Sequence, residues 1–149
     1  MNSIQTLKRT LLKSMSLSLA LPYFGISLAS ENEAQYMQNA LVKRYKKSDA
    51  IIIEMPPLAD TGNSIPMGIQ FQAPLHRKMQ SFEIVAPENP NPLVMNVSLP
   101  NPQAHYQFAT RIRLAITQDV WVIATLDDGS KMAQSMNCVV TLNACFDAT

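Results

Sequence analysis

From Ser48 onward the chain alternates apolar and polar residues with a period of two, and before that point it does not. Ala50 to Met55 is a β-branched run closed by Pro56-Pro57. Met67, Ile69, Phe71 and Ala73 alternate with Gly68, Gln70 and Gln72. Phe82 and Ile84 flank Glu83. Leu93, Met95, Val97 and Leu99 alternate with Val94, Asn96 and Ser98, and Phe108, Thr110, Ile112 and Leu114 with Ala109, Arg111 and Arg113. Alternation of this kind puts one side of each strand into a core and the other into water. Val120 to Leu126 differs, being apolar on both faces, as in a central strand or one covered by a partner. Met132 to Leu142 returns to the sheet after the turn Asp127-Asp128-Gly129-Ser130, and Asp60-Thr61-Gly62-Asn63 reads as another turn. The pattern predicts about seven short strands. Most of the ten prolines lie between them.

Ahead of the strands the period is helical. Ser30-Glu31-Asn32-Glu33 has the form of a capping box, in which a hydroxyl and a carboxylate cover free amides at a helix start. Ala34, Met37, Leu41 and Tyr45 follow at spacings of three and four, and Lys43-Arg44-Tyr45-Lys46-Lys47 places cations where a helix ends. The fold class these elements predict is all-β: an immunoglobulin-like antiparallel β-sandwich with one N-terminal helix.

The first 29 residues read as a segment to be removed. Lys8, Arg9 and Lys13 form a basic start, Ser14 to Ala29 carries no charge, and Ser27-Leu28-Ala29 offers small residues to an export peptidase. The uncharged run of 16 residues is short of the ~20 that a membrane span needs. A signal peptide over 1–29 and a periplasmic domain over 30–149, with no stable membrane anchor, are the expectation. Leu7-Lys8-Arg9-Thr10-Leu11-Leu12-Lys13 also resembles a twin-arginine export signal with Lys in the first Arg place, and the general secretory route stays open.

Removing the leader takes three of twelve basic residues and none of eleven acids, leaving the mature domain at a net charge of −2. No basic stripe survives to hold nucleic acid. No Ser-His-Asp set, carboxylate pair, metal-ligand cluster or phosphate loop stands out, so no enzyme and no cofactor is expected. Nine methionines and two histidines raise periplasmic metal handling as an alternative, with His76 and Met79 three apart. Against it, Met37, Met67, Met95 and Met132 fall on apolar faces, where methionine fills gaps.

The chemistry-bearing candidate is a thiol. Cys145 lies in the last five residues, where a chain end has few contacts. The other cysteine, Cys138, shares strand parity with Met136, Val140 and Leu142 and reads as core. Along one strand the two would be ~23 Å apart on opposite faces, beyond disulfide reach. Arg111 and Arg113 share the strand face opposite Phe108 and Ile112. A solvated face explains them, with anion binding or partner pairing as the alternative. Trp121 suits a core or an interface.

Several stretches resemble one family. Ala50-Ile51-Ile52-Ile53-Glu54-Met55-Pro56-Pro57 with the following turn and Pro66, Thr110-Arg111-Ile112-Arg113-Leu114-Ala115, Asp128-Gly129-Ser130, and Val140-Thr141-Leu142 before Cys145 resemble, in order, segments of SoxY proteins. The resemblance implies a carrier of thiosulfate-derived sulfur, held covalently on Cys145. It also implies a SoxZ-like partner, itself an immunoglobulin-like sandwich, and periplasmic enzymes that load and unload the sulfur. Family members bear the cysteine in Gly-Gly-Cys-Gly-Gly, whereas here the positions read Asn143-Ala144-Cys145-Phe146-Asp147. That departure keeps open a second reading, an assembly or binding subunit that retains the shape without carrier turnover.

Overall fold

A computed structural model describes residues 29–142, with side chains from Met37 onward. One helix, α1 (Ala29–Arg44), precedes eight strands: β1 (Ile51–Glu54), β2 (Leu58–Thr61), β3 (Ile65–Gln72), β4 (Met79–Val85), β5 (Leu93–Gln103), β6 (His105–Ile112), β7 (Gln118–Leu126) and β8 (Lys131–Leu142). They form a three-stranded sheet, β1-β3-β6, and a five-stranded sheet, β2-β8-β7-β4-β5. Helix α1 already includes Ser30, so the capping-box residues lie inside its first turn rather than ahead of it. The predicted removal of residues 1–29 falls outside the described residues save for Ala29, where α1 begins.

The two sheets enclose the core that the period-two pattern predicts. Ile65, Met67, Ile69 and Phe71 of β3 face Phe82 and Ile84 of β4 and Val120, Val122, Ala124 and Leu126 of β7, and all are buried. The Phe82 ring packs edge-on against Phe108 with centroids 5.3 Å apart and lies 6.1 Å from Tyr106, bringing β4 and β6 together across the sandwich. Burying a side chain of this size contributes roughly 1.5–3 kcal/mol.

Three features depart from the expected pattern. Asp60 and Thr61 are not turn residues but the end of β2, and the turn is confined to Gly62-Asn63. Four residues after a proline pair carry little strand signal of their own, and β2 is held instead by its ladder with β8. That ladder is parallel, with Leu58 opposite Val139 and Thr61 opposite Leu142, while every other strand pairing is antiparallel. Pro56-Pro57 marks where the chain leaves one sheet for the other. Strand β5 runs on through Pro100 and Pro102, which an edge strand paired on one side tolerates.

The two-faced apolar character of β7 has an internal cause. Its outer residues Trp121 and Ile123 are buried with Val85 and Ala133 beneath Leu41 and Tyr45. Helix α1 therefore covers this face, and no partner is needed to explain it. Gln38 fixes the helix in place: its amide oxygen accepts from Trp121 Nε1 at 3.2 Å, and its amide nitrogen donates to Asp119 Oδ2 at 2.9 Å.

Candidate functional site

Cys145 lies outside the described residues, but the strand that leads to it does not. Strand β8 is gripped on both sides as far as Val140, and on the β2 side to its last residue. On one side Val139 N donates to Pro57 O, and Gly62 N to Leu142 O, both at 2.9 Å. On the other, Val140 N donates to Thr117 Oγ1 at 2.9 Å. The tail thus leaves a rigid sheet from a defined point. Cys145 is the third residue beyond Leu142, so their Cα atoms can be no more than ~11 Å apart.

That point is one end of the sandwich. The connections meeting there run from β2 to β3, from β4 to β5 and from β6 to β7. Gly62 joins two of these paths, since its carbonyl accepts from Leu114 N at 2.9 Å while its amide bonds Leu142. Asn89 joins the others. Its Oδ1 accepts from Ala115 N at 2.8 Å and from Gln118 Nε2 at 3.0 Å, and its Nδ2 donates to Arg113 O at 2.8 Å. Gln118 Oε1 in turn accepts from Glu88 N at 2.9 Å. Asn89 and Gln118 are the buried polar residues of the described domain, and each has partners for its amide. A buried polar group without a partner costs about 1–3 kcal/mol, so a satisfied cluster of this kind holds its loops in one arrangement. The cluster was not legible in the sequence, where Ala86-Pro87-Glu88-Asn89-Pro90-Asn91-Pro92 has only the look of a connecting loop.

The remaining candidates are placed as follows. Cys138 is fully buried, and its Sγ donates to Pro56 O at 3.3 Å. Burial pushes its thiol pKa up, so it is a neutral core group rather than a nucleophile. Trp121 is core. Met79 is buried while His76 is exposed in the left-handed region with φ 64°, so the pair does not converge on a metal. Among the described residues no three His, Cys, Asp or Glu side chains form a group that could hold an ion. Arg111 and Arg113 are both exposed, and Arg111 Nη1 reaches Ser64 O and Oγ at 3.4 Å. A groove of about 780 Å3 between α1 and the sheet, lined by Met37, Leu41, Tyr45, Val85, Leu93 and Ile123, opens on the outer sheet face, and its lining includes Lys131 at the start of β8 rather than any residue near Leu142. Among the described residues no helix is long and apolar enough to cross a membrane.

The described domain is therefore a two-sheet immunoglobulin-like sandwich whose final strand, clamped to its end, delivers a thiol-bearing tail. A family model described as sulfur oxidation protein SoxY matches residues 36–145, most of the chain, and the chain belongs to the SoxY family. Among solved structures it is similar to the sulfur carrier protein SoxY from Chlorobium limicola f thiosulfatophilum, with a TM-score of 0.59 at 22% identity, covering 73% of this chain and 99% of that one. A putative superoxide reductase from Thermotoga maritima has a related fold, with a TM-score of 0.53 at 10% identity, covering 64% of this chain and 93% of that one. No protein of curated function matches.

Proposed function

We propose that the protein is a periplasmic sulfur carrier that holds intermediates of thiosulfate oxidation covalently on Cys145 and works paired with a SoxZ-like sandwich. The observation that carries this reading is the extent of the family match, which runs through residue 145, three residues beyond the fixed end of β8. In loading, Cys145 gives up its proton and a sulfur–sulfur bond forms to thiosulfate. The two electrons released pass to an electron-accepting partner enzyme. A thiol a few residues beyond a strand held in a rigid sheet suits a group that must enter one enzyme after another.

Mass spectrometry of the protein purified from its native periplasm tests the reading. The peptide containing Cys145 carries a sulfur adduct that Cys145→Ser lacks, and the mature chain begins at or near Ser30. The replacement of the expected glycines by Asn143, Ala144, Phe146 and Asp147 favours the second reading, an assembly subunit. A persistently unmodified Cys145 in protein that copurifies at equal stoichiometry with a SoxZ-like chain would decide for that second reading.

A further inference from the structure

The groove between α1 and the five-stranded sheet changes character along its length. Helix α1 runs from Trp121, to which Gln38 is bonded, toward Ala133, which Lys47 pairs just past the helix end. Arg44 closes α1 and Lys131 opens β8, so both stand at the end of the groove away from Leu142. Leu93 lines the other end, opposite Val85, which in turn pairs with Trp121. Lys131 pairs with Thr125, four residues along β7 from Trp121, so the two ends lie ~13 Å apart. Ile123 lies between them, with Glu83 beside it. Met37 and Leu93 are 36% and 54% exposed, apolar surface that α1 leaves open. Among the described residues the ion pair is Arg77 with Asp128, so Arg44, Lys131 and Glu83 line the groove without a bridge. Arg44 lies instead over the Tyr45 ring, 5.6 Å from its centroid. Two cations and one acid leave the groove one positive charge in surplus.

We propose that this groove is a binding site for a single-chain amphiphile with one anionic head, such as a carboxylate or sulfonate on an alkyl chain. The chain lies along Ile123, Val85, Leu93 and Met37, and the head meets Arg44 and Lys131. The site is separate from the carrier reading and stands whether or not that reading holds. A volume of about 780 Å3 falls within the range of about 300–1,000 Å3 that small-molecule sites occupy, and such sites pair an apolar lining with a few placed polar groups. A helix from another protein, at least ~10 Å across, would need about 1,000 Å3 over the same ~13 Å, so an extended chain fits where a helix does not. The cations fix both the sign of the head and the direction of the chain, since guanidinium and ammonium stay charged at neutral pH. Glu83, midway, opposes a second negative charge and so selects a monoanion over a dianion.

Calorimetric titration of the mature protein with octanoate, decanoate and decyltrimethylammonium, all below micelle-forming concentrations, tests the site. Decanoate should bind more tightly than octanoate, by about two- to fourfold for each added methylene, and more tightly than the cationic amphiphile of equal chain length. Each head-group charge near ~6 Å in water is worth about threefold, so Arg44→Gln with Lys131→Gln should weaken decanoate about tenfold while strengthening decyltrimethylammonium. Glu83→Gln should tighten decanoate about threefold, and high salt should shrink these differences. Leu93→Ser should weaken both amphiphiles alike. Ile52→Ser, which removes a side chain of matching exposure (53% against 54%) on the three-stranded sheet, should weaken neither. Equal affinity for the anionic and cationic amphiphiles, or an equal loss in Ile52→Ser, would overturn the site, as would no binding in protein that keeps its urea midpoint. Decanoate that binds the isolated chain but not a copurified complex would make the groove a protein interface and overturn it as well.

Discussion

Asn89 and Gln118 meet at 3.0 Å inside the end of the sandwich from which the tail departs, and through them the β4–β5 and β6–β7 connections become one unit. The same Asn89 oxygen takes a second bond from Ala115 N, and its nitrogen satisfies Arg113 O.

Asn89→Ala should therefore cost more than an ordinary loop substitution. It leaves the Ala115 amide, the Arg113 carbonyl and the Gln118 amide without their partner in a buried place. The expected loss is about 2–3 kcal/mol, read as a lowered urea midpoint at unchanged slope. A cost within ~0.5 kcal/mol, the level of an ordinary surface change, would mean that water replaces the amide and that the loops are not locked by it.

The contrast between Asn89 and β7 shows what the sequence makes legible. The run Val120 to Leu126 announces a strand buried on both faces because burial selects residue type at every position. It does not say what covers each face; here the opposite sheet covers one and Leu41 of α1, with Tyr45 just past its end, covers the other. Cys138 was legible as core because parity with Val140 decides its side. Strand β2 was not, because four residues owe their state to β8 rather than to their own pattern. Asn89 was not, since its burial depends on bonds to residues more than twenty positions away. Of the proposed site, Cys145 is singled out by the sequence and lies outside the described residues, while Gly62 and Thr117, which fix the end of β8, gave only turn and loop signals.

Gln38 is the hinge pin of α1. Gln38→Ala removes the acceptor of the Trp121 indole and the donor to Asp119 while sparing the apolar contacts of Leu41. The expected cost is about 1–2 kcal/mol. Since the chain has one tryptophan, its fluorescence reports this place alone, and emission should shift to the red as water reaches the indole. Unaltered emission with unaltered stability would show that α1 is held by its apolar face only.

Cys138 should remain unlabelled in the folded protein and react at once on unfolding, while Cys145 labels in both states. Burial raises the folded pKa of Cys138 above its unfolded value of ~8.5. Between those two values the folded state holds a proton that the unfolded state has lost. The stabilising contribution is thus complete below the unfolded pKa and is lost as pH rises toward the folded one. In a Cys145→Ser background, the urea midpoint should fall between pH 8 and 10 more steeply than in the same protein with Cys138→Ala. Parallel curves would show that the thiol ionises as readily folded as unfolded.

The tail itself should limit ordinary thiosulfate loading. Glycines on both sides of a cysteine leave a thin arm with wide backbone freedom. Asn143 and Phe146 narrow that freedom and add bulk, and Asp147 brings a negative charge close to the sulfur. A carboxylate there raises the thiol pKa, which lowers the thiolate fraction, and repels an anionic substrate. At ~6 Å in water one such charge alone is worth about threefold in rate against a monoanion. Replacing Asn143, Ala144, Phe146 and Asp147 by Gly should therefore raise adduct yield with thiosulfate-oxidising enzymes at least about threefold, and Asp147→Asn alone should recover the electrostatic share. Cys145→Ser should abolish the adduct in every tail. Equal loading of the native and glycine tails would show that the partner enzymes accept the bulky arm and tolerate its added charge. No loading of either tail, with partner binding intact, would make the protein an assembly subunit that kept the sandwich and gave up the carrier cycle.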